Sequence, residues 1–164
     1  MKTLKELNYF PKLCMVIDGF QDPEYLEAVK GTNLGDYLFQ RSGFSLDVNK
    51  AKMQEVDNEY YNLFGEHAFS EVVGHYTAFT VLYEALERAG SLEPEKIKNA
   101  ILATEMSDAE VPIMGSVKFN ANGQNINTKM LMLQFKEGQW RTVFPWEYAN
   151  VSIMFPIPSW SQRP

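Results

Sequence analysis

The sequence predicts an α/β fold that finishes in β-hairpins, and three observations carry the prediction. Residues 13–17, LCMVI, form a short unbroken apolar run. Such a run with β-branched members suits a strand buried on both faces, as in a parallel sheet. Helical and strand patterns alternate over residues 1–48, the order expected of α/β construction. After Met106 helical periodicity gives way to strand-like segments separated by Asn-Gly and other Gly-containing turns.

The elements follow in order. TLKELNY places Leu4 and Leu7 at i, i+3 and reads as the last turns of a helix, which Pro11 ends. A self-contained α/β domain usually opens on a strand, so this start hints at a larger architecture. LCMVI is the first strand, and DGFQDPEY follows it as a loop. Pro23 is placed to open a helix, EYLEAV, which Gly31 follows closely. DYLFQRS, from Asp36, is the second strand. From Asn49 the period changes: Met53, Val56, Tyr60, Leu63 and Phe64 recur at three and four, one stripe of an amphipathic helix. Ser70 is the expected N-cap of a further helix, residues 71–89, apolar around most of its circumference and so expected to be largely buried. Gly90 closes it, and Pro94 opens another helix with Ile97, Ala100 and Ile101 inward. MGSVKF, KMLMLQF and QWRTVF are the strands of the last third. The tail, with Pro145, Pro156, Pro158 and Pro164, is expected to be an extended strap on the surface.

Composition bounds the function. The chain has 164 residues, 45% apolar and 22% charged, the profile of a globular domain with a real core. A net charge of -6 with no Lys/Arg run disfavours a phosphate-binding footprint and hence nucleic acid. The single cysteine, Cys14, sits in the first apolar run and reads as buried filler. No apolar stretch reaches the roughly eighteen residues of a membrane span, and the start lacks the apolar core of a secretory signal.

Few residues carry chemistry. His67, Glu71 and His75 are spaced so that, all helical, they would share about 80° of arc, which invites zinc or iron. A cap at Ser70 would leave His67 outside the helix, and a partly buried, hydrogen-bonded His75 without metal is the favoured reading. Asp57 with Glu59, and Glu93 with Glu95, read as solvated helix faces. No nucleophile elbow, Walker loop, HExxH or CxxC occurs, and nothing calls for a cofactor. The loop after the first strand differs, because open α/β sheets bind ligands at the carboxyl ends of strands. Phe20 offers a packing surface, Gln21 a donor and acceptor, Asp22 and Glu24 two carboxylates for an ammonium group. Equally, Asp22 can cap the helix while Glu24 favours its N-terminus. On the second strand Phe39 and Arg41 share a side, and Arg41 can meet a ligand carboxylate or a surface acid.

YTAFTVLYEALERAGSLEPEKIKNAI, then GSVKFNANGQN, then MLQFKEGQWRTVFP resemble, in that order, the last part of type I periplasmic solute-binding proteins, the leucine/isoleucine/valine-binding class. FPIPSWSQR and ELNYFPKLCMVI also match family segments, so the resemblance covers nearly the whole chain. It implies part of a two-lobe, Rossmann-like fold with a C-terminal hairpin region. Residues 1–48 would be a second-lobe β-α-β segment, 49–110 a helical segment crossing back to the first lobe, and 111–164 the hairpin region and strap. It implies binding without turnover, no metal, and ABC permease subunits as partners of a full-length periplasmic parent about twice this length. In such proteins an acidic residue in the loop matching FQDPE receives the ligand amine, which makes Glu24 the first choice and Asp22 the second. Phe20, Gln21 and the end of the Tyr37–Arg41 strand, including Phe39, would line the second-lobe wall. A sensory domain of a receptor or regulator is the alternative, since the same fold serves that role. Exposed lobe surface is expected to favour self-association.

Overall fold

The computed structural model describes residues 1–17 and 19–163. Asp18, first residue of the predicted loop, and Pro164, last of the tail prolines, lie outside the described residues. The helices are α1 (Lys2–Glu6), α2 (Pro23–Val29), α3 (Ala51–Phe64), α4 (Ser70–Ala89) and α5 (Pro94–Leu102). The strands are β1 (Met15–Val16), β2 (Phe39–Ser42), β3 (Glu105–Met106), β4 (Val117–Lys118), β5 (Leu131–Lys136) and β6 (Gln139–Phe144). They belong to two compact units: Met1–Val48 with Leu131–Pro164, and Asn49–Met130.

The first unit is built on a sheet of order β1-β2-β5-β6. β1 and β2 are parallel, as the sequence implied, with α2 as their crossover. β2–β5 and β5–β6 are antiparallel. The β5–β6 turn holds Glu137 at φ 52° and Gly138 at φ 77°, the left-handed pair that a two-residue hairpin turn demands. Alternation gives the sheet two distinct faces. Leu38 and Phe135 pack with Val29 of α2, Leu34 and Trp160 on one. Phe39 and Val143 pack with Ile157 on the other.

Two expectations need correcting here. β1 is an edge strand, not a strand buried on both faces: Leu13, Met15 and Ile17 are exposed, and Cys14 is half-buried between both clusters. The tail is packed rather than merely laid on the surface, because its side chains have sites to fill. Ile157 and Trp160 enter the core, and a short 3-10 turn forms at Trp160–Gln162. The fully buried Gln134 amide holds the tail from β5, donating to the Met154 carbonyl at 2.9 Å and accepting from its N–H at 2.8 Å. The Asp47 carboxylate likewise ties β6, accepting from the Thr142 N–H at 2.7 Å.

The second unit contains α3, α4, α5 and the two-stranded β3–β4 ladder, which the sequence reading missed at Glu105–Met106. Met53 and Val56 are buried as predicted, whereas Leu63 and Phe64 at the end of α3 are exposed. α4 begins at Ser70 with Phe69 as N-cap, and the Ser70 hydroxyl donates to Glu71 at 2.6 Å instead of capping. Only one stripe of α4 is buried, Val73, Thr77, Val81 and Ala85; Phe79, Leu82 and Tyr83 are exposed. The apolar residues encircle α4 as read, but this unit covers one side of it. The left-handed Gly90 cap is present, and Ala100 is buried on α5. Asp57 is buried, not solvated. Its carboxylate receives the Ala68 N–H at 2.8 Å and meets His67 Nδ1 at 2.9 Å, fixing the turn between α3 and α4. Lys50 is buried too, held by Asp108 at 3.0 Å and by the carbonyl of Ile113.

Candidate ligand-binding site

The strongest candidate is the loop leaving the carboxyl end of β1. Residues 19–22 lead into α2, and Pro23 starts the helix because its fixed φ suits the first turn and its missing N–H costs nothing there. Aromatic contacts anchor this loop. The Phe20 ring meets Tyr25 edge-on at 4.8 Å, Tyr25 meets Phe135 at 6.2 Å, and Phe135 meets Trp140 at 5.2 Å. The indole N–H of Trp140 then donates to the Phe20 carbonyl at 2.6 Å, which closes the circuit. The loop is thus tied at both side chain and backbone.

Gln21 is buried, and its Oε1 lies 3.5 Å from Ser42 Oγ on β2. Asp22 is half-buried at the N-cap position, but its side chain makes no cap hydrogen bond, which removes the simple capping reading. Glu24 is exposed in the first turn of α2. Phe20, Gln21, Asp22 and Glu24 are therefore brought together by one loop and one helix start.

The two β2 residues are placed elsewhere. Phe39 is buried in the cluster with Val143 and Ile157. Arg41 is exposed two residues on, opposite Met132 of β5. The strand alternates, so Phe39 and Arg41 share a side, as counted from sequence; Gln40 and Ser42 take the other, with Leu38, and that is the side Gln21 meets. Gln40 was not singled out from sequence. It is almost fully buried, its amide N–H donates to the Ile17 carbonyl at 2.7 Å, and its Oε1 has no hydrogen-bond partner among the described residues. A glutamine inside an apolar strand pattern was its only signal.

Burial raises the Tyr25 hydroxyl above its ordinary value, to about 12, with smaller contributions from Cys14 and Asp36. Its oxygen has no hydrogen-bond partner among the described residues. A folded-state value above the unfolded one contributes stability that is complete below pH 10 and is lost as pH climbs towards 12. Tyr25→Phe should therefore weaken the alkaline loss between pH 10 and 12 and leave neutral stability equal or higher, measured by urea midpoints across pH.

His67, Glu71 and His75 do not assemble. His67 precedes α4 and faces Asp57, while His75 is exposed with Nδ1 2.7 Å from the Glu71 carbonyl. Among the described residues no group of three or more His, Cys, Asp or Glu is close enough to hold a metal, and no helix is long and apolar enough to cross a membrane.

No family model matches the sequence. Over 140 residues the chain is 28% identical to Leu/Ile/Val-binding protein homolog 8 of Brucella abortus, covering 85% of this chain and 31% of that protein. It thus spans about a third of the length of the curated relatives it matches. The leucine-binding protein LivK of Thermotoga maritima superposes with a TM-score of 0.69 at 21% identity, over 85% of this chain and 38% of that one. LivJ of Streptococcus pneumoniae, a branched-chain amino acid transporter substrate-binding protein solved with isoleucine, gives 0.69 at 16% identity, over 87% and 40%. The fold is accordingly a portion of the type I periplasmic-binding-protein fold. All three similar proteins are named as binding proteins.

Proposed function

We propose that the chain is the ligand-gripping portion of a substrate-binding protein that serves an ABC importer, for an amino acid or a related small carboxylate or amide. The carrying observation is the anchored 19–24 loop at the carboxyl end of a parallel strand pair, in a fold shared with leucine- and isoleucine-binding proteins. Glu24 receives the ligand ammonium group and Asp22 stands beside it, while Phe20 and Gln21 form the adjoining wall. Phe39 and Arg41, on the opposite face of β2, have no assigned role. The first unit is read as second-lobe structure and the second unit as first-lobe structure. The division at Val48/Asn49 coincides with the crossing that the resemblance implies, while the return to the first unit falls at Met130/Leu131 rather than after residue 110.

A chimera tests the reading: this chain joined to the part of homolog 8 outside the matched segment, titrated calorimetrically with amino acids and aromatic acids. At least one amino acid should bind. Glu24→Gln should weaken it about tenfold to a hundredfold, the worth of one charge-assisted hydrogen bond. Heat from no member of the panel would contradict the proposal.

A further inference from the structure

Two glutamines are buried on neighbouring strands of the first unit's sheet, and their bonding differs. Gln134 on β5 is satisfied at both ends of its amide. Its Nε2 donates to the Tyr37 and Met154 carbonyls at 3.3 and 2.9 Å, and its Oε1 accepts the Met154 N–H at 2.8 Å. Gln40 on β2 is 1% exposed. Its Nε2 donates to the Ile17 carbonyl at 2.7 Å, while its Oε1 has no hydrogen-bond partner among the described residues. A buried acceptor without a donor forfeits its hydration and gains nothing in return. Methionine has nearly the same shape and would fill the space without that cost. Core packing therefore does not account for an amide at position 40.

What the amide touches does account for it. The β1–β2 ladder ends with Val16 opposite Gln40. Ile17 lies one residue beyond that last pair and is 58% exposed, and the Gln40 amide catches its carbonyl. Two residues along β2, on the same side, Ser42 Oγ donates to Gln21 Oε1 at 3.5 Å and accepts the Phe44 N–H at 3.1 Å. β2 is itself paired with β5 over Phe39–Ser42, so both side chains project from a fixed base. Phe20 is held independently, by the Trp140 indole at its carbonyl. We infer that Gln40 is a positioning residue for the binding segment: through Ile17, with Ser42 assisting through Gln21, it sets where Phe20–Glu24 stand against an amino acid that Gln40 itself does not touch. A site holds its geometry only when the side chains behind it are anchored, and this amide supplies such an anchor at the expense of its own second bond. The inference rests on the ligand-binding reading above and names a residue which that reading left without a role.

The test makes the same change at both glutamines of this chain, Gln40→Met and Gln134→Met. Gln134→Met should lower the melting temperature by about 5 °C or more, because it strands the bonds that hold the tail. Gln40→Met should leave the melting temperature unchanged or raise it, since it removes an unsatisfied acceptor. The chain has three tryptophans, so a nitrogen-15 spectrum resolves their indole N–H signals individually. That of Trp140 reports the bond to Phe20, and that of Trp160, bonded to Tyr9, is the internal reference. Gln40→Met should speed solvent exchange of the Trp140 indole proton about tenfold and leave that of Trp160 unchanged. In the chimera, with L-leucine as probe, Gln40→Met should weaken binding about tenfold. The melting and indole measurements use this chain alone, so they decide the inference even where the chimera gives no heat, the result that contradicts the binding reading. Three results would each overturn the inference: a Gln40→Met chain that melts as early as Gln134→Met, a Trp140 indole that exchanges at its original rate, or L-leucine bound by the Gln40→Met chimera with unchanged affinity.

Discussion

Trp160→Ala should lower the stability of the first unit by about 3–5 kcal/mol, the usual cost of emptying a large aromatic site in a core. Trp160 is 6% exposed and packs with Val29, Leu34, Leu38 and Phe135. Its indole N–H donates to the Tyr9 carbonyl at 2.9 Å, and its own carbonyl receives the Asn33 amide at 3.2 Å. Arg163 stacks over the ring at 3.8 Å and donates to the Asp36 carbonyl at 3.1 Å. One side chain thus fastens the tail to the chain's start and to the loop between α2 and β2. Removing it leaves a cavity and frees the Arg163 stack together. Trp160→Phe keeps most of the apolar contact and loses the indole bond, so it should cost only about 1–2 kcal/mol. Urea unfolding followed by circular dichroism distinguishes the two. Equal effects would mean that the ring's volume carries no weight.

Gly115→Ala should be comparably severe in the second unit, above about 3 kcal/mol. Gly115 has φ +83°, where a side chain is strained in any surroundings, and a Cβ there would lie 2.1 Å from the Asn127 carbonyl oxygen and 3.0 Å from the Lys129 nitrogen. Both neighbours are backbone, and the ladder pins them. Gly115 bridges Thr128, the Lys129 N–H donates to the Met114 carbonyl at 3.1 Å, and Ser116 donates to Asn127. Relief therefore requires the two segments to part. Gly123 is the control. It too has positive φ, +77°, but nothing lies within 4 Å of its would-be Cβ. Gly123→Ala should cost about 1–2 kcal/mol, from left-handed strain alone. Melting temperatures of the two variants measure the difference, and equal losses would contradict the clash.

Local chemistry made much of this fold legible before any coordinates. Pro23 and Pro94 announce helix starts because proline fixes φ where a first turn needs it. Gly90 closes α4 in left-handed geometry, as its place after the last apolar residue suggested. The Gly-containing turn at Gly138, between β5 and β6, and the parallel β1–β2 pair followed from turn chemistry and apolar runs. What was not legible depends on partners distant in sequence. Apolar residues in β1 and around α4 report that burial is needed, but not which elements supply it. Prolines in the tail argue against regular structure, yet they do not prevent Ile157 and Trp160 from packing. Asp57, Lys50 and Gln134 are polar by type and buried by circumstance, because each satisfies backbone groups that no local pattern reveals. At the candidate site, the count that put Phe39 and Arg41 on one side of β2 was sound. Which side the Phe20–Glu24 loop would lie against is decided by α2 packing on Leu38 and by Gln21 reaching Ser42.

Hydrogen exchange across residues 19–27 in the chimera, with and without its best-binding amino acid, addresses the grip itself. The account predicts that these amides slow markedly when ligand is added, and that Glu24→Gln reduces the slowing in proportion to lost affinity. A ligand that binds tightly while this segment exchanges at its unliganded rate would place recognition elsewhere and contradict the account.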